Sequence, residues 1–257
     1  MIQRVLAIET SCDDTSVALV RHDGFVEAVV SANQDLAHAP FGGIVPEIAC
    51  RNHVLNLVPL VEEVLRQTNL DWNAVGGVAV TSRPGLVGSL IVGVSTAKTL
   101  AQARSLPMIG VNHLEGHLQA AFLRDEAWAP PLDFTYPFVA LAVSGGHSTL
   151  YFVPEFGRYE VLGTTMDDAA GEAFDKFAKM LGLGFPGGVK IDKLAQTGDP
   201  KAFDLPRSLI KEENVMMSFS GLKSSAQRLI DSLGPAEVQA RLPDLCASFQ
   251  EAIVDVL

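Results

Sequence analysis

Apolar residues of this chain alternate between strand-like and helix-like spacing, and the alternation occurs twice. Residues 4–20 read RVLAIETSCDDTSVALV and residues 137–153 read PFVALAVSGGHSTLYFV. Each stretch has an apolar strand, a short polar turn and a second strand, and the two align at an offset of 133 residues, with Ser11 on Ser144. A third strand follows in each copy, so each half is predicted to open with a three-stranded antiparallel meander. A repeat of this length indicates a duplicated domain rather than a solenoid.

The first half continues with alternating helix and strand signals. Apolar residues at helical spacing predict a long helix over residues 45–70. Short apolar runs then predict buried strands over residues 75–81 and 107–111, each followed by a helix, over residues 86–104 and 113–123. A meander followed by strand, helix, strand and helix gives a mixed five-stranded sheet of the ribonuclease H type.

The second half repeats the meander and a helix at residues 171–183. An inserted, loop-rich and helical region then runs to about Pro235, and a final apolar helix is predicted at residues 243–257. Counterparts of the fourth and fifth strands are not found in its sequence. We therefore predict an α/β fold of two duplicated ribonuclease H-like domains, residues 1–130 and 131–257, with a cleft between them and the second domain incomplete. This pattern favours a fragment or truncated gene product over a natural short form.

The composition is that of an ordinary globular protein, with 48% hydrophobic and 19% charged residues. Nothing in the sequence resembles a signal peptide, and no apolar run reaches about 18 residues without a charge or a turn signal, so we expect a cytoplasmic protein without a membrane segment. A net charge of −11 argues against binding nucleic acid by bulk attraction. Basic side chains concentrate in residues 158–228, where a solvated face is the alternative to a binding surface.

Two polar hairpin turns occupy equivalent positions in the two halves. They are residues 11–15, SCDDT, and residues 144–148, SGGHS. Glycines let the backbone approach a phosphate, and successive amides and hydroxyls supply hydrogen-bond donors. In the first turn, Asp13 and Asp14 are candidates to position a metal, a water or an amine. Either turn alone is also consistent with an ordinary polar hairpin.

A histidine pair follows the predicted strand at residues 107–111. His113 and His117 stand four residues apart, on one helical face, and can share a metal ion. The carboxyl end of a strand is also where α/β proteins gather their sites. Two histidines are too few, so a third protein ligand is needed. A surface pair is the alternative. The zinc-protease motif is not matched, because Glu115 does not directly follow the first histidine.

Two segments of the second half read as helix starts. Asp167 and Asp168 precede the helix at residues 171–183, where acidic side chains favour the helix dipole. The small polar segment at residues 218–223, SFSGLK, is predicted to cap a later helix.

Three further residues of the second half are candidate ligand contacts. Asp175 lies one turn into its helix, too far from the N-terminus for capping to explain it. A carboxylate there can accept a hydrogen bond from a ribose hydroxyl. Gly188 belongs to the sequence FPGG, which is either a turn for close backbone approach to a ligand or a helix stop. Asp192, four residues on, is placed to meet the same ligand, and a solvated acid is the equal alternative.

The chain resembles the tRNA N6-adenosine threonylcarbamoyltransferase family, specifically its large bacterial catalytic subunit, along essentially all of its length. The family has an actin-like, Hsp70-like duplicated fold, which agrees with the internal repeat. The matching strings are IETSCDDTS, GGIVPEIACRNH, PGLVGSL, NHLEGHL, VSGGHS, DDAAGEAFDKFAKMLGLGFPGG and MSFSGLK.

The resemblance assigns roles to individual residues. It implies that His113 and His117 bind one divalent metal, iron with zinc as the alternative, and that a third protein ligand lies beyond Leu257. The residues that it implies for the adenylate site are Ala142, Val143, Ser144, Gly145, Gly146, Asp175, Gly188 and Asp192.

The activity that the resemblance implies is transfer of the threonylcarbamoyl group of threonylcarbamoyl-AMP to the exocyclic amine of a tRNA adenosine beside the anticodon. The implied partners are tRNA, a smaller related actin-like subunit and a small ATPase subunit. Two alternatives remain at this point. One is an ATP-dependent small-molecule kinase of the same fold, which has no use for the histidine pair. The other is a truncated, inactive form that only binds a partner.

Overall fold

The computed structural model describes residues 2–257, which form two compact units. One unit ends at Phe134 and the other comprises Thr135–Leu257. Within the described range, no helix combines the length and the apolar character that crossing a membrane requires. Each unit has its own sheet and its own buried core, and the two are described separately.

The first unit contains a five-stranded sheet in the order β3-β2-β1-β4-β5. The first three strands form the predicted antiparallel meander, and β4 and β5 extend the sheet in parallel with β1. This is the strand order of the ribonuclease H type, as the sequence predicted. The strands are β1 (Arg4–Glu9), β2 (Thr15–Arg21), β3 (Val26–Ala32), β4 (Gly77–Arg83) and β5 (Met108–Asn112).

Helices cover one face of this sheet. Alternate residues of β1, β2 and β4, among them Leu6, Val17 and Val80, point to the same side and are buried against Leu57 and Ala97 of two long helices. The inward-facing residues of the strands and the apolar faces of the helices therefore pack into one core. The helices of this unit are α1 (Asp35–His38), α2 (Pro46–Thr68), α3 (Val87–Arg104) and α4 (His113–Gln119), with 3₁₀ turns at Ala39–Phe41, Trp72–Ala74 and Ala120–Phe122.

The second unit opens with the second predicted meander, a three-stranded antiparallel sheet in the order β6-β7-β8. Four helices follow, and their aromatic and aliphatic side chains form a separate core around Phe177 and Phe249. The elements are β6 (Phe138–Val143), β7 (Ser148–Glu155), β8 (Arg158–Thr164), α5 (Ala170–Met180), α6 (Gly187–Ala195), α7 (Ser220–Ala240) and α8 (Leu242–Val256).

The predicted α/β class with duplicated ribonuclease H-like units is confirmed, and the residues described in the second unit include three strands to the first unit's five. Two predicted details are wrong. The helix after β5 ends at Gln119 rather than at residue 123, because the chain tightens into a 3₁₀ turn. Helix α7 runs past Pro235 but is kinked there, since Gly234 has φ 76° and ψ 164°. The predicted cleft between the halves stays a prediction.

Candidate functional site

Three neighbouring parallel strands of the first unit end in polar residues at one edge of the sheet. The pairing of Ile8 with Val80 brings the end of β1, Glu9, beside Thr81 of β4. The pairing of Thr81 with Val111 brings that residue beside the end of β5, after which α4 begins at His113. Parallel strands present their carboxyl ends together, so three residues distant in sequence become neighbours.

Glu9 is the centre of this edge. Its carboxylate accepts hydrogen bonds from the backbone amide of Ser11 and the hydroxyl of Thr81, and its Oε2 lies 3.1 Å from Nδ1 of His113. Burial alone would raise the pKa of Glu9, but the hydrogen bonds from His113, Ser11 and Thr81 outweigh burial and lower that pKa to about 2. The side chain is therefore a carboxylate at neutral pH, held at both oxygens.

The two histidines lie on one face of α4, as their spacing predicted. Asn112 caps this helix by accepting hydrogen bonds from the amides of Leu114 and Glu115, which fixes where the first turn begins. Nε2 of His113 and Nε2 of His117 are 3.0 Å apart, and the rings meet edge to face at 83°. Two imidazole nitrogens thus converge on one point.

This arrangement fits the first two ligands of a divalent metal. The two nitrogens that face each other are both Nε2. The other ring nitrogen of His113, Nδ1, contacts the carboxylate of Glu9, as is usual for metal-binding histidines. Residues 2–257 contain no cluster of three or more histidine, cysteine or acidic side chains with metal-binding geometry. The third ligand, the metal itself and its identity therefore stay predictions.

The first hairpin turn, residues 11–15, is fixed from two sides. The carbonyl of Ser11 accepts the amide of Leu86 at 2.7 Å, and a Cβ on Gly85, whose φ is +156°, would stand 2.5 Å from that carbonyl oxygen. On the other side, the buried His53 bridges Thr15 and the carbonyl of Cys12 at 2.8 and 2.9 Å. Contacts on both sides of the turn thus define its conformation.

The acidic pair in this turn has one perturbed member. Burial, followed by repulsion from Asp13 and Asp35, raises the pKa of Asp14 above its ordinary value. Its predicted role in positioning a metal, water or amine stays a prediction.

The second hairpin turn packs against the start of α5. The Oγ of Ser144 accepts the amides of Gly146 and His147 at 3.2 and 3.0 Å, and the carbonyl of Ser144 accepts the amide of Gly171. Side chains at Gly145 and Gly146 would meet nothing within 4 Å, so the backbone there is open to a ligand. Within β6, Ala142 is half-buried and Val143 is exposed.

Asp175 and the glycines of FPGG come together between α5 and α6. Oδ1 of Asp175 accepts the amide of Gly187 at 2.7 Å, and a Cβ on Gly187 would lie 2.5 Å from that of Ala178. Close helix packing therefore explains Gly187, whereas a Cβ on Gly188 would meet only Phe174, at 3.9 Å. The hydrogen bond that Asp175 accepts from the amide of Gly187 does not test its predicted contact with a ribose, which stays a prediction.

Asp192 lies apart from these contacts. It is exposed on α6, one turn beyond Gly188, and its Oδ1 accepts Nε2 of Gln250 at 3.3 Å. Ser144 thus contacts Gly171 at the start of α5, and Asp175 lies one turn further along the same helix. Asp192 instead contacts Gln250 of α8.

The expectation that Asp167 and Asp168 serve the N-terminus of α5 is wrong. Asp167 instead accepts hydrogen bonds from the hydroxyls of Ser218 and Ser220 and the amides of Phe219 and Ser220, so it caps α7. Helix α7 does begin within the segment at residues 218–223, but its two serines donate to Asp167 instead of capping the helix themselves.

Asp168 bridges two lysines rather than facing the α5 dipole. Its two oxygens lie 2.6 Å from Nζ of Lys176 and 2.7 Å from Nζ of Lys223. Elsewhere in the basic-rich stretch at residues 158–228, Lys190 donates to the carbonyl of Leu183 at 2.7 Å. Exposed lysines of the same stretch include Lys179, Lys193 and Lys201.

We call His113, His117 and the residues around them the histidine site. Sequence reasoning missed two of its members, Glu9 and Thr81. Both stand at the ends of apolar strands, where a polar residue interrupts the alternation. That interruption marks both positions in the sequence, and only the pairing of the strands shows that they are neighbours of His113.

Comparison with known proteins agrees with this fold. Component A of the (R)-2-hydroxyglutaryl-CoA dehydratase of Acidaminococcus fermentans superposes with a TM-score of 0.53 over 97% of this chain and 74% of that chain. The sequences are 11% identical, so the likeness concerns the fold alone.

The sequence comparisons are more specific. The tRNA N6-adenosine threonylcarbamoyltransferase of Bdellovibrio bacteriovorus is 65% identical over the whole of this chain and 74% of its own length. That of Geobacter metallireducens is 51% identical over 98% of this chain and 72% of its own length. The family model described as tRNA N6-adenosine threonylcarbamoyltransferase matches residues 26–257. The chain therefore belongs to the tRNA N6-adenosine threonylcarbamoyltransferase family.

Proposed function

We propose that this protein transfers the threonylcarbamoyl group of threonylcarbamoyl-AMP to the exocyclic amine of a tRNA adenosine next to the anticodon. Family membership supports the reaction class. The observation that carries the proposal to named residues is the convergence of the Nε2 atoms of His113 and His117, 3.0 Å apart at a sheet edge where sites gather.

The adenylate is proposed to bind the second unit, at residues 142–146 with Asp175, Gly188 and Asp192. The open backbone at Gly145 and Gly146 supports close approach of a phosphate. The N-terminus of α5, packed on the same turn, offers a favourable dipole for an anion. These groups would bind and orient threonylcarbamoyl-AMP rather than react with it.

The residues of the histidine site do not form a catalytic triad. Ser11 Oγ and Glu9 Oε2 both approach the same nitrogen of His113, Nδ1, at 3.0 and 3.1 Å. In a triad the base uses one nitrogen for the nucleophile and the other for the acid. This supports direct attack by the tRNA amine, without a covalent enzyme intermediate, and catalysis by orientation and electrostatic stabilisation.

One divalent metal, iron or zinc, is proposed at His113 and His117. When bound, it would supply a positive charge that polarises the carbamoyl carbonyl or holds the threonyl carboxylate. The protein's own contribution is to hold the two imidazoles at a fixed spacing on a capped helix, backed by Glu9.

The decisive experiment replaces both histidines by alanine in the full chain. Because both imidazoles would be lost, we expect metal content and threonylcarbamoyl transfer to fall to background. Bound metal is measured by mass spectrometry, and the modified adenosine by nucleoside analysis of the tRNA. The exposed His22, in the turn between β2 and β3, provides the matched control, and His22→Ala should behave as the parent protein.

The outcomes separate the alternatives. Turnover that survives loss of His113 and His117 would reject a role for the pair. Substrate-dependent consumption of ATP with phosphorylation of a small molecule would support the kinase alternative. A protein that forms a complex with partner subunits but never transfers the group would support the inactive partner-binding form.

Partner subunits and a cytoplasmic location also remain proposals. An acidic chain needs help in presenting tRNA, and the expected helpers are the smaller related actin-like subunit and the small ATPase. Exposed apolar side chains on α2 and α3 support docking of a protein, and those more than half exposed include Val54, Leu55, Val58, Val87 and Ile91. Size-exclusion chromatography of the mixed subunits tests this, and a chain that elutes alone counts against it.

A further inference from the structure

The strongest unassigned feature of the first unit is the carboxylate behind His113. Glu9 stands at the end of β1, and its neighbours along the sheet edge are Thr81 and the start of α4. The residue is 104 positions from His113, so only the sheet brings the two together. The spacing and motif arguments of the sequence assign it no role.

The chemistry of this contact fixes the tautomer of His113. A carboxylate can only accept hydrogen bonds, and Oε2 of Glu9 lies 3.1 Å from Nδ1. Nδ1 must therefore carry the proton, because two acceptors at that distance would repel each other. In a neutral imidazole the other nitrogen, Nε2, then carries the ring's acceptor lone pair, and this is the atom that lies 3.0 Å from Nε2 of His117.

We propose that Glu9 is the positioning residue that holds His113 in the metal-binding tautomer and aims its Nε2 toward His117. The inference rests on the proposed metal site and adds a residue to it. Metal-binding histidines usually donate their second ring N–H to a carboxylate or carbonyl, and losing that partner typically costs about 10–100-fold in metal affinity.

Two further hydrogen bonds orient the carboxylate of Glu9. Ser11 donates its backbone amide to Oε1, and Thr81 donates its hydroxyl to Oε2. The backbone donor is fixed in direction because the turn at residues 11–15 is locked by Leu86 and His53. The orientation of the carboxylate, and through it the ring of His113, thus follows from the backbone of the first hairpin.

This geometry makes Glu9→Gln a directed change rather than a simple loss. The carboxamide must keep its oxygen on the Ser11 amide, which cannot turn its proton away. Its NH₂ then takes the position of Oε2 and faces Nδ1 of His113, which must become an acceptor. The proton moves to Nε2, the nitrogen that would bind the metal. The shape and size of the side chain are preserved, so folding is retained.

The test measures two quantities in the full chain, neither of them activity. Nitrogen-15 NMR of the metal-free protein reports which ring nitrogen of His113 is protonated. Titration with Zn²⁺ alone, in competition with a chromophoric chelator, reports affinity. We expect the Nδ1–H form in the parent, the Nε2–H form in Glu9→Gln, and about 10–100-fold weaker Zn²⁺ binding in the variant.

Two control variants isolate the cause. Glu27→Gln removes a hydrogen-bonded carboxylate from the same sheet, where it pairs with Arg4 at 2.7 Å, without touching the histidines. Ser11→Ala removes the other contact to Nδ1 of His113. Glu27→Gln should bind Zn²⁺ as the parent does, and Ser11→Ala should lose less Zn²⁺ affinity than Glu9→Gln. A larger loss with Ser11→Ala than with Glu9→Gln would overturn the assignment to Glu9.

The result also separates this inference from the proposed function. Parent-like affinity and an unchanged His113 tautomer in Glu9→Gln, with Zn²⁺ binding still lost in the double histidine variant, would overturn the role of Glu9 and leave the metal site standing. Parent-like Zn²⁺ binding in the double histidine variant would instead overturn the metal site, and the positioning role with it.

Discussion

At the scale of single residues, Asp168 shows how one partly buried acid organises its surroundings. Its side chain is 14% exposed and forms ion pairs with Lys176 and Lys223, which lie on different helices. Burial raises the pKa of Asp168, but the two ammonium groups more than offset burial and hold the pKa below its ordinary value. One carboxylate therefore ties α5 to α7.

Replacing Asp168 by asparagine should destabilise the second unit. The variant keeps the shape but loses the charge that pairs with both lysines, so we expect the free energy of unfolding to fall by about 1.5–3 kcal/mol at pH 7, as for hydrogen bonds to charged groups. Urea unfolding followed by far-ultraviolet circular dichroism measures the change. Asp231→Asn, on the exposed face of α7 where Asp231 accepts Gln227, is the control and should have a small effect.

The pH dependence of this difference follows from the direction of the pKa. The pKa of Asp168 is lower in the folded protein than its ordinary value of 3.8. Its stabilisation is therefore fully present above that value and is lost as pH falls through the folded-state pKa. The gap between parent and variant should shrink below about pH 4. A gap that widens in acid would contradict this account.

The histidine site shows what sequence reveals about single residues and what it does not. The pair His113 and His117 could be predicted because helical periodicity is local. Glu9 could not, because its role depends on strand pairing between residues far apart in the chain. The sequence does mark Glu9, as the first charged residue after an apolar strand, but it does not name the partner.

At the scale of elements, the hydrophobic pattern predicted most of the fold because strands and helices are selected by periodicity. The long helix α2 was predicted within two residues at each end, and both meanders are present. The cap of α7 was not predictable in this way. Asp167 satisfies its first amides from more than 50 residues upstream, so the signal is tertiary rather than local.

At the scale of the whole molecule, the described residues form two hydrophobic cores, and each core draws its residues from one unit. The core of the first unit includes Leu57 of α2, and that of the second includes Phe177 and Phe249. These two rings stack with centroids 3.8 Å apart and planes 9° apart. Both tryptophans, Trp72 and Trp128, belong to the first unit, so tryptophan fluorescence reports on that unit alone.

Truncating the second core should unfold the two units at different denaturant concentrations. Phe249 is fully buried, and Phe249→Ala removes a ring from the aromatic stack, so we expect a loss of about 3–5 kcal/mol from the second unit. Because the core of the first unit contains no residue of the second, the transition seen by tryptophan fluorescence should keep its midpoint. Circular dichroism, which follows both units, should show a second transition at lower urea.

The mirror-image variant provides the control for this prediction. Leu57 is 1% exposed in the first core, and Leu57→Ala should lower the tryptophan midpoint by the equivalent of about 2–5 kcal/mol. A tryptophan midpoint that falls as far in Phe249→Ala as the circular dichroism midpoint does would show that the units unfold as one. In that case the two cores would belong to a single cooperative unfolding unit. A destabilising substitution in the helices after β8 would then also lower the stability of the histidine site.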